Sequence, residues 1–76
     1  MVTKYSTTTT TTWDQYLGWE MNYAKDTIIE KYKGKINTVE IIYPWYPSSA
    51  LPTDYRNDRI ILFTDNRYNV EKIEQR

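Results

Sequence analysis

The spacing of apolar and polar positions predicts one helix between residues 17 and 34. Apolar or aromatic residues recur at every third or fourth position with charged residues between them, as in an amphipathic helix. These positions are Leu17, Met21, Ala24, Ile28 and Tyr32. Gly34, which follows two lysines, is typical of a helix end. The start is left open between Gly18 and the carboxylate of Glu20.

Three further segments predict strands. Val39–Tyr43 and Ile60–Thr64 are apolar and rich in β-branched residues, whereas Val70–Glu74 is short and charged, as suits a sheet edge. A turn at Asp65–Asn69 separates the last two. The first two are too continuous for a half-exposed hairpin, so we expect buried inner strands that pair in parallel across a long connection. One helix packed on a small mixed sheet, an α+β fold, covers these faces.

The connection between the first two strands has an unusual composition. It contains all three prolines of the chain and no glycine. Loops of this length in compact domains are usually functional or disordered, and each proline fixes its own φ and restricts the preceding residue. We therefore predict that residues 49–54 form an extended peptide held between two strands, with the shape that a protease active site accepts.

Residues 1–12 end in six consecutive threonines without alternation, and we expect a disordered leader before a single domain at residues 13–76. The chain has 76 residues, no cysteine and no histidine, which removes disulfides, thiolate metal sites and the usual near-neutral acid or base. We therefore expect no cofactor and no metal. The missing cysteines leave both a secreted and a cytoplasmic location open.

Several functional classes find little support. Ten basic and ten acidic residues balance, which argues against a nucleic-acid or membrane partner. The basic segment Lys31–Lys35 is more simply a solvated helix end. No nucleophile–base pair is apparent, so we expect no enzyme, and no apolar run approaches the length that spans a membrane.

A set of residues spread along the chain carries a specific resemblance. They are Trp13 with Gly18, Ala24 and Lys25 in the predicted helix, Pro44 after the first strand, the string Asp54–Arg59 before Leu62 and Phe63, and Asn69, Val70 and Ile73 near the end. Together they resemble the potato type I inhibitor family, the group of eglin and the barley chymotrypsin inhibitor. The resemblance implies inhibition of serine proteases of the chymotrypsin or subtilisin fold, through a loop that binds as a substrate does.

The resemblance also implies roles for individual residues. Thr53 aligns with the primary-specificity residue and Asp54 with the residue after the scissile bond, while Arg59 aligns with an arginine that braces the loop from beneath. We expect either Arg56 or Arg59 to hold the carboxylate of Asp54. The other residues of the expected protease-binding loop are Ser49, Ala50, Leu51, Pro52, Tyr55 and Arg56.

Three departures from the family pattern concern the brace. Ile61 stands where a second bracing arginine is usual, Pro52 replaces a common threonine, and the loop carries extra residues, among them Trp45 and Tyr46. Two interpretations stay open. Either Pro52 packs against Ile61 and replaces the hydrogen-bonded brace, or the brace has decayed and the loop is looser.

The loop sequence also indicates a target. Thr53 is small and follows a proline, which favours elastase-like or subtilisin-like proteases with shallow or tolerant specificity pockets. We expect a monomer that binds one serine protease. The alternative is a non-inhibitory module that binds a protein or a carbohydrate through exposed aromatic side chains. The candidates are Trp45, Tyr46, Tyr55 and Trp19.

Overall fold

The computed structural model describes residues 12–76, and only the backbone of Thr12. The leader predicted for residues 1–12 lies outside the described residues except for Thr12, where the first element begins. This element is a short 3-10 helix, Thr12–Tyr16. The remaining elements are helix α1 (Met21–Lys31), strand β1 (Thr38–Ile42), a 3-10 turn (Ser48–Ala50), strand β2 (Arg59–Thr64) and strand β3 (Val70–Gln75). The helix and the three strands are those that the sequence predicts, with small shifts of their ends.

Helix α1 is capped by side-chain and backbone groups at its two ends. The carboxylate of Glu20 accepts a hydrogen bond of 2.9 Å from the backbone N–H of Tyr23, so Glu20 and not Gly18 is the N-cap. At the other end, the backbone N–H of Tyr32 donates to Ile28. Gly34 has a φ of 89°, a left-handed conformation that glycine adopts without steric cost, and this confirms the predicted stop.

The sheet has the order β1-β2-β3. Strands β1 and β2 are parallel, with Val39 opposite Ile60, and β3 is antiparallel to β2, with Ile73 opposite Leu62. The predicted α+β fold is therefore confirmed. The prediction that β1 is an inner strand is wrong, because β1 lies at one edge. A continuous apolar run reflects burial of side chains on the sheet faces, whereas an edge position depends on main-chain pairing.

The main core lies between α1 and one face of the sheet. Its buried residues are Tyr16, Ala24, Ile28, Ile36, Val39, Ile60, Leu62 and Val70. The predicted apolar face of the helix supplies two of these residues, but Leu17 is 44% exposed and does not belong to the core. Leu17 lies before α1, in the turn that follows the 3-10 helix, where Gly18 has a φ of 88°, and Tyr16 enters the core instead.

Candidate functional site

The parallel pairing of β1 and β2 dictates the course of the loop between them. The chain leaves the sheet at the carboxyl end of β1 and must return along the whole length of the sheet to begin β2. On its way it forms the 3-10 turn Ser48–Ala50, closed by hydrogen bonds of 2.9 Å from Ala50 to Pro47 and 3.1 Å from Leu51 to Ser48. The expectation of an extended peptide is therefore wrong for Ser49 and Ala50. The φ of −71° at Pro47 suits the start of a helical turn as well as a strand.

The residues after this turn are presented to solvent to different degrees. Leu51 is extended, with φ −75° and ψ 143°, and Leu51 and Pro52 are half-buried. The backbone then bends at Thr53 and Asp54, and both residues are exposed. Tyr55 is 74% exposed. Thr53 and Asp54, which align with the reactive bond, thus lie at an accessible bend between the half-buried residues 51–52 and β2.

Arg59, the first residue of β2, lies beneath this bend and is only 5% exposed. Its Nη2 donates to the main-chain oxygen of Asp54 at 2.9 Å and to the Asp54 carboxylate at 3.1 Å. Its Nε donates to the main-chain oxygen of Arg76 at 2.7 Å. The hydrogen bond from Arg59 lowers the pKa of Asp54 below its ordinary value. Of the two arginines expected to hold the carboxylate of Asp54, Arg59 is therefore the one that does so.

Arg56 has a different partner. Its guanidinium makes two hydrogen bonds to the carboxylate of Asp58, of 3.0 and 2.9 Å. The side chain of Asn37 donates to the same carboxylate at 3.0 Å, and together Arg56 and Asn37 lower the pKa of Asp58 to about 2. The main-chain oxygen of Asp58 also accepts from the N–H of Asn37 at 2.8 Å. Asp58 thus joins the end of the loop to Asn37, the residue before β1. The carboxylate of Asp54 is bound by Arg59 and not by Arg56.

A second arginine that the sequence reasoning missed also reaches the loop. Arg76 follows β3, and its Nη2 donates to the main-chain oxygen of Pro52 at 3.2 Å. The side chain of Gln75 donates to the main-chain oxygen of Asn57 at 2.5 Å. The loop is therefore supported by Gln75 and Arg76 as well as by Arg59. The sequence carried no signal for Arg76, because its place depends on the register of β3: continued by one residue, this register places Arg76 beside Arg59, and the Arg76 N–H donates to the Arg59 oxygen at 3.1 Å.

Ile61 is completely buried but lies outside the main core. Its neighbours Ile60 and Leu62 face the helix, and side chains alternate along a strand, so Ile61 points to the opposite face together with Arg59. This is the face on which Arg59 reaches the loop. That Ile61 packs beneath Pro52 stays a prediction.

The aromatic side chains near the start of the loop form an exposed group. The rings of Tyr43 and Trp45 are stacked with their centroids 4.9 Å apart, and Tyr46 and Tyr68 contact Tyr43 edge-on at 5.2 and 6.0 Å. Trp45 is 61% exposed. Trp19, by contrast, packs against the core and does not belong to this surface. We call Tyr43, Trp45, Tyr46 and Tyr68 the aromatic cluster.

Two other features are absent from residues 12–76, a metal-binding group and a membrane-spanning helix. In that part of the chain no group of three or more acidic side chains is arranged to hold a metal ion. The same residues include no helix with the length and apolar character needed to cross a membrane.

Comparison with known families shows to which family the chain belongs. The model of the potato inhibitor I family matches residues 5–73, which is nearly the whole chain and begins within the residues expected to form the leader. A search of curated proteins finds no match. The matched region includes α1, β1, the complete loop and its support from Arg59. The chain therefore belongs to the potato inhibitor I family, a family of serine protease inhibitors.

Proposed function

We propose that this protein inhibits a serine protease by presenting residues 51–56 as a substrate-like loop, with Thr53–Asp54 as the reactive bond. The proposal rests mainly on one observation. Asp54, the residue after the proposed bond, is held at both its main-chain oxygen and its carboxylate by the buried Arg59. An exposed bond supported in this way from beneath is suited to enter an active site without losing its shape.

Binding follows from the shape of the loop. A peptide segment that pairs with the edge of the protease active site gains affinity from main-chain hydrogen bonds, while the side chain of Thr53 enters the specificity pocket. The ordering of the loop is completed during folding, because Arg59 and Asp58 already tie its end to the sheet. Little conformational entropy is then lost on association, and this favours tight binding.

Resistance to hydrolysis follows from the same support. When the protease serine attacks, its oxygen bonds to the carbonyl carbon of Thr53, the Thr53–Asp54 amide bond breaks, and the Asp54 nitrogen takes up a proton and leaves as an amine. Arg59 keeps Asp54 in place, so this amine stays next to the acyl group at a high effective concentration. Religation then competes with attack by water, and the inhibitor is regenerated.

The choice of target rests on Thr53. Its side chain is small, uncharged and exposed, and it follows Pro52. These features suit the shallow pocket of elastase-like enzymes or the tolerant pocket of subtilisin-like enzymes. A trypsin-like pocket requires a cation, and a chymotrypsin-like pocket a large ring.

The test is a panel of inhibition constants against elastase, chymotrypsin, trypsin and subtilisin, followed by mass spectrometry of long incubations. We expect tight inhibition of elastase or subtilisin and slow cleavage confined to Thr53–Asp54. Absence of inhibition across the panel, or rapid cleavage at another bond, would contradict the proposal.

A second candidate function is favoured by the aromatic cluster, whose Trp45 leaves most of its surface exposed beside the loop. Exposed aromatic groups of this kind bind proteins or carbohydrates. Titration with oligosaccharides, followed by tryptophan fluorescence, separates the two candidates. Saturable binding that is lost in Trp45→Ala, together with no protease inhibition, would favour the binding module.

A further inference from the structure

Arg76 and Arg59 bind the two residues that flank Thr53 in the sequence. Its Nη2 donates to the main-chain oxygen of Pro52 at 3.2 Å, and Arg59 donates to the main-chain oxygen of Asp54 at 2.9 Å. Thr53 therefore lies between two residues that are each held by an arginine. Proline has no N–H, so its carbonyl oxygen is the only main-chain group through which Pro52 can be held by a hydrogen bond.

The guanidinium of Arg76 is itself held in place by β3. Its Nη1 contacts the carboxylate of Glu74 at 3.2 Å, and Glu74 also pairs with Lys72 at 2.9 Å. The pKa of Glu74 is lowered by Lys72 and, to a smaller extent, by Arg76. Glu74 stands directly opposite Ile61 in the register of β2 and β3. An ion pair on β3 thus lies beside the position at which β2 carries no bracing side chain.

The two arginines are also joined to each other. The Nε of Arg59 donates to the main-chain oxygen of Arg76, and the Arg76 N–H donates to the Arg59 oxygen. The loop is supported by a connected unit that spans β2 and β3.

We propose that Arg76 is a positioning residue of the reactive loop, and that it supplies from β3 the second cationic brace that Ile61 cannot supply from β2. The inference rests on the proposed function, because it takes Thr53–Asp54 as the reactive bond. After cleavage the acyl side of that bond is held through Pro52 by Arg76, and the amine side is held through Asp54 by Arg59. Both new ends stay attached to the same pair of strands, which favours religation.

The test compares Arg76→Ala with Arg67→Ala. Arg67 is an exposed arginine in the turn between β2 and β3, so the two variants have the same composition. We expect Arg76→Ala to weaken inhibition and to accelerate cleavage at Thr53–Asp54 by roughly 10- to 100-fold, the loss that corresponds to one hydrogen bond from a charged group. Arg67→Ala should match the parent in both measurements.

Two further measurements separate positioning from a loss of folding. The melting temperature of Arg76→Ala should stay close to that of Arg67→Ala, since Arg76 follows the last strand and is partly exposed. Amide hydrogen exchange should quicken at Thr53 and Asp54 but not in the centre of β2. Arg76→Lys, which keeps a cation able to donate to the Pro52 oxygen, should recover part of the inhibition.

The outcomes distinguish this inference from the proposed function. If the parent inhibits a protease and Arg76→Ala inhibits as well and resists cleavage as long as Arg67→Ala, the role of Arg76 is overturned and the proposed function stands. If the parent inhibits none of the proteases, the proposed function fails and the role of Arg76 fails with it. If Arg76→Ala melts at a clearly lower temperature without faster exchange in the loop, Arg76 is structural and the inference is overturned.

Discussion

At the scale of single residues, neighbouring side chains of the loop differ in how they are held. Asp54 is anchored by Arg59, and Arg56 is bound by Asp58, whereas Thr53, next to Asp54, faces solvent. Anchored residues shape the loop, and an exposed residue is free to enter a specificity pocket. Substitutions should therefore separate target choice from the durability of inhibition.

Replacing Thr53 should change target choice without changing the fold. Thr53→Leu or Thr53→Tyr should move inhibition towards chymotrypsin and subtilisin, and Thr53→Lys should move it towards trypsin. Folding stability should change by no more than about 0.5 kcal/mol, as for most exposed positions. The measurement is the inhibition constant against each protease. Asn66→Lys, an exposed turn position, is the charge-matched control, and an unchanged profile for all three Thr53 variants would show that the reactive bond is misplaced.

Replacing Arg59 by alanine should convert a lasting inhibitor into a substrate cut at Thr53–Asp54. The new amine of Asp54 would no longer be held close to the acyl group, so hydrolysis would overtake religation. The melting temperature should fall as well, because Arg59 is buried and its loss leaves the Asp54 and Arg76 oxygens without this donor. Arg59→Lys is the control that keeps the charge. Time courses by mass spectrometry decide the matter, and a variant as resistant to cleavage as the parent would contradict the brace.

Asp58 should make stability depend on pH in the acid range. Its pKa is lowered from 3.8 to about 2 in the folded protein, chiefly by Arg56 and then by Asn37. A carboxylate with a depressed folded pKa stabilises the protein above its unfolded pKa, and this contribution disappears as pH falls from about 4 to about 2. Asp58→Asn should therefore make the loss of stability in this window shallower. Unfolding by urea at several pH values measures the slope, with Asp26→Asn as control; an unchanged slope would exclude the role of Asp58.

At the scale of elements, the strands hold the loop and the helix holds the strands. The Arg59 at the start of β2 and the Arg76 beyond β3 face the loop, while Ile60 and Leu62 of β2 pack on α1. One strand thus serves the site on one face and the core on the other, in keeping with the period of two along a strand. The stability of α1 should therefore be separable from inhibition.

Glu20→Ala tests this separation. The substitution removes the side-chain acceptor at the N-terminus of α1, and loss of a helix cap costs about 1 kcal/mol. We expect a lower melting temperature and an inhibition constant equal to that of the parent at temperatures where the variant is folded. Glu30→Ala, an exposed position on the same helix, should change neither. A large loss of inhibition in Glu20→Ala would mean that the helix start is coupled to the loop.

At the scale of the whole molecule, both sheet edges carry charged side chains. Glu40 lies on edge strand β1, and Glu71 and Lys72 are exposed on edge strand β3. Charges at such positions oppose pairing of one sheet with another copy. The aromatic cluster around Trp45, by contrast, is an exposed surface through which two copies could associate.

We expect a monomer in solution and a complex with one protease molecule. Light scattering coupled to size exclusion gives the mass of each species. If the free protein forms a dimer and the Trp45→Ser variant is a monomer, the aromatic cluster is a self-association surface and the expectation of a monomer is wrong. A dimer that survives this substitution would also contradict the expectation of a monomer, and it would exclude the aromatic cluster as its interface.

Local features of the chain were enough to predict the helix, the three strands and the long loop. Each of these predictions rests on a few neighbouring residues: the amphipathic period of α1, the helix stop at Gly34 and the β-branched runs. Such signals can be recognised before the tertiary structure is known. The partner of Asp54 was also predicted to be either Arg56 or Arg59, and the structure shows that it is Arg59. The residues involved are close in sequence, and a motif can therefore carry their geometry.

Other properties depended on how distant segments meet. The edge position of β1 depends on which strand pairs with which, and the same apolar run would suit either position. The support from Arg76 joins residues 24 apart in sequence and exists only because the register of β3 brings its end under the loop. The exclusion of Leu17 from the core in favour of Tyr16 depends on the backbone turn at Gly18, before α1 begins. Each of these properties depends on how the main chain pairs and in which direction it runs. Residue type alone does not determine either.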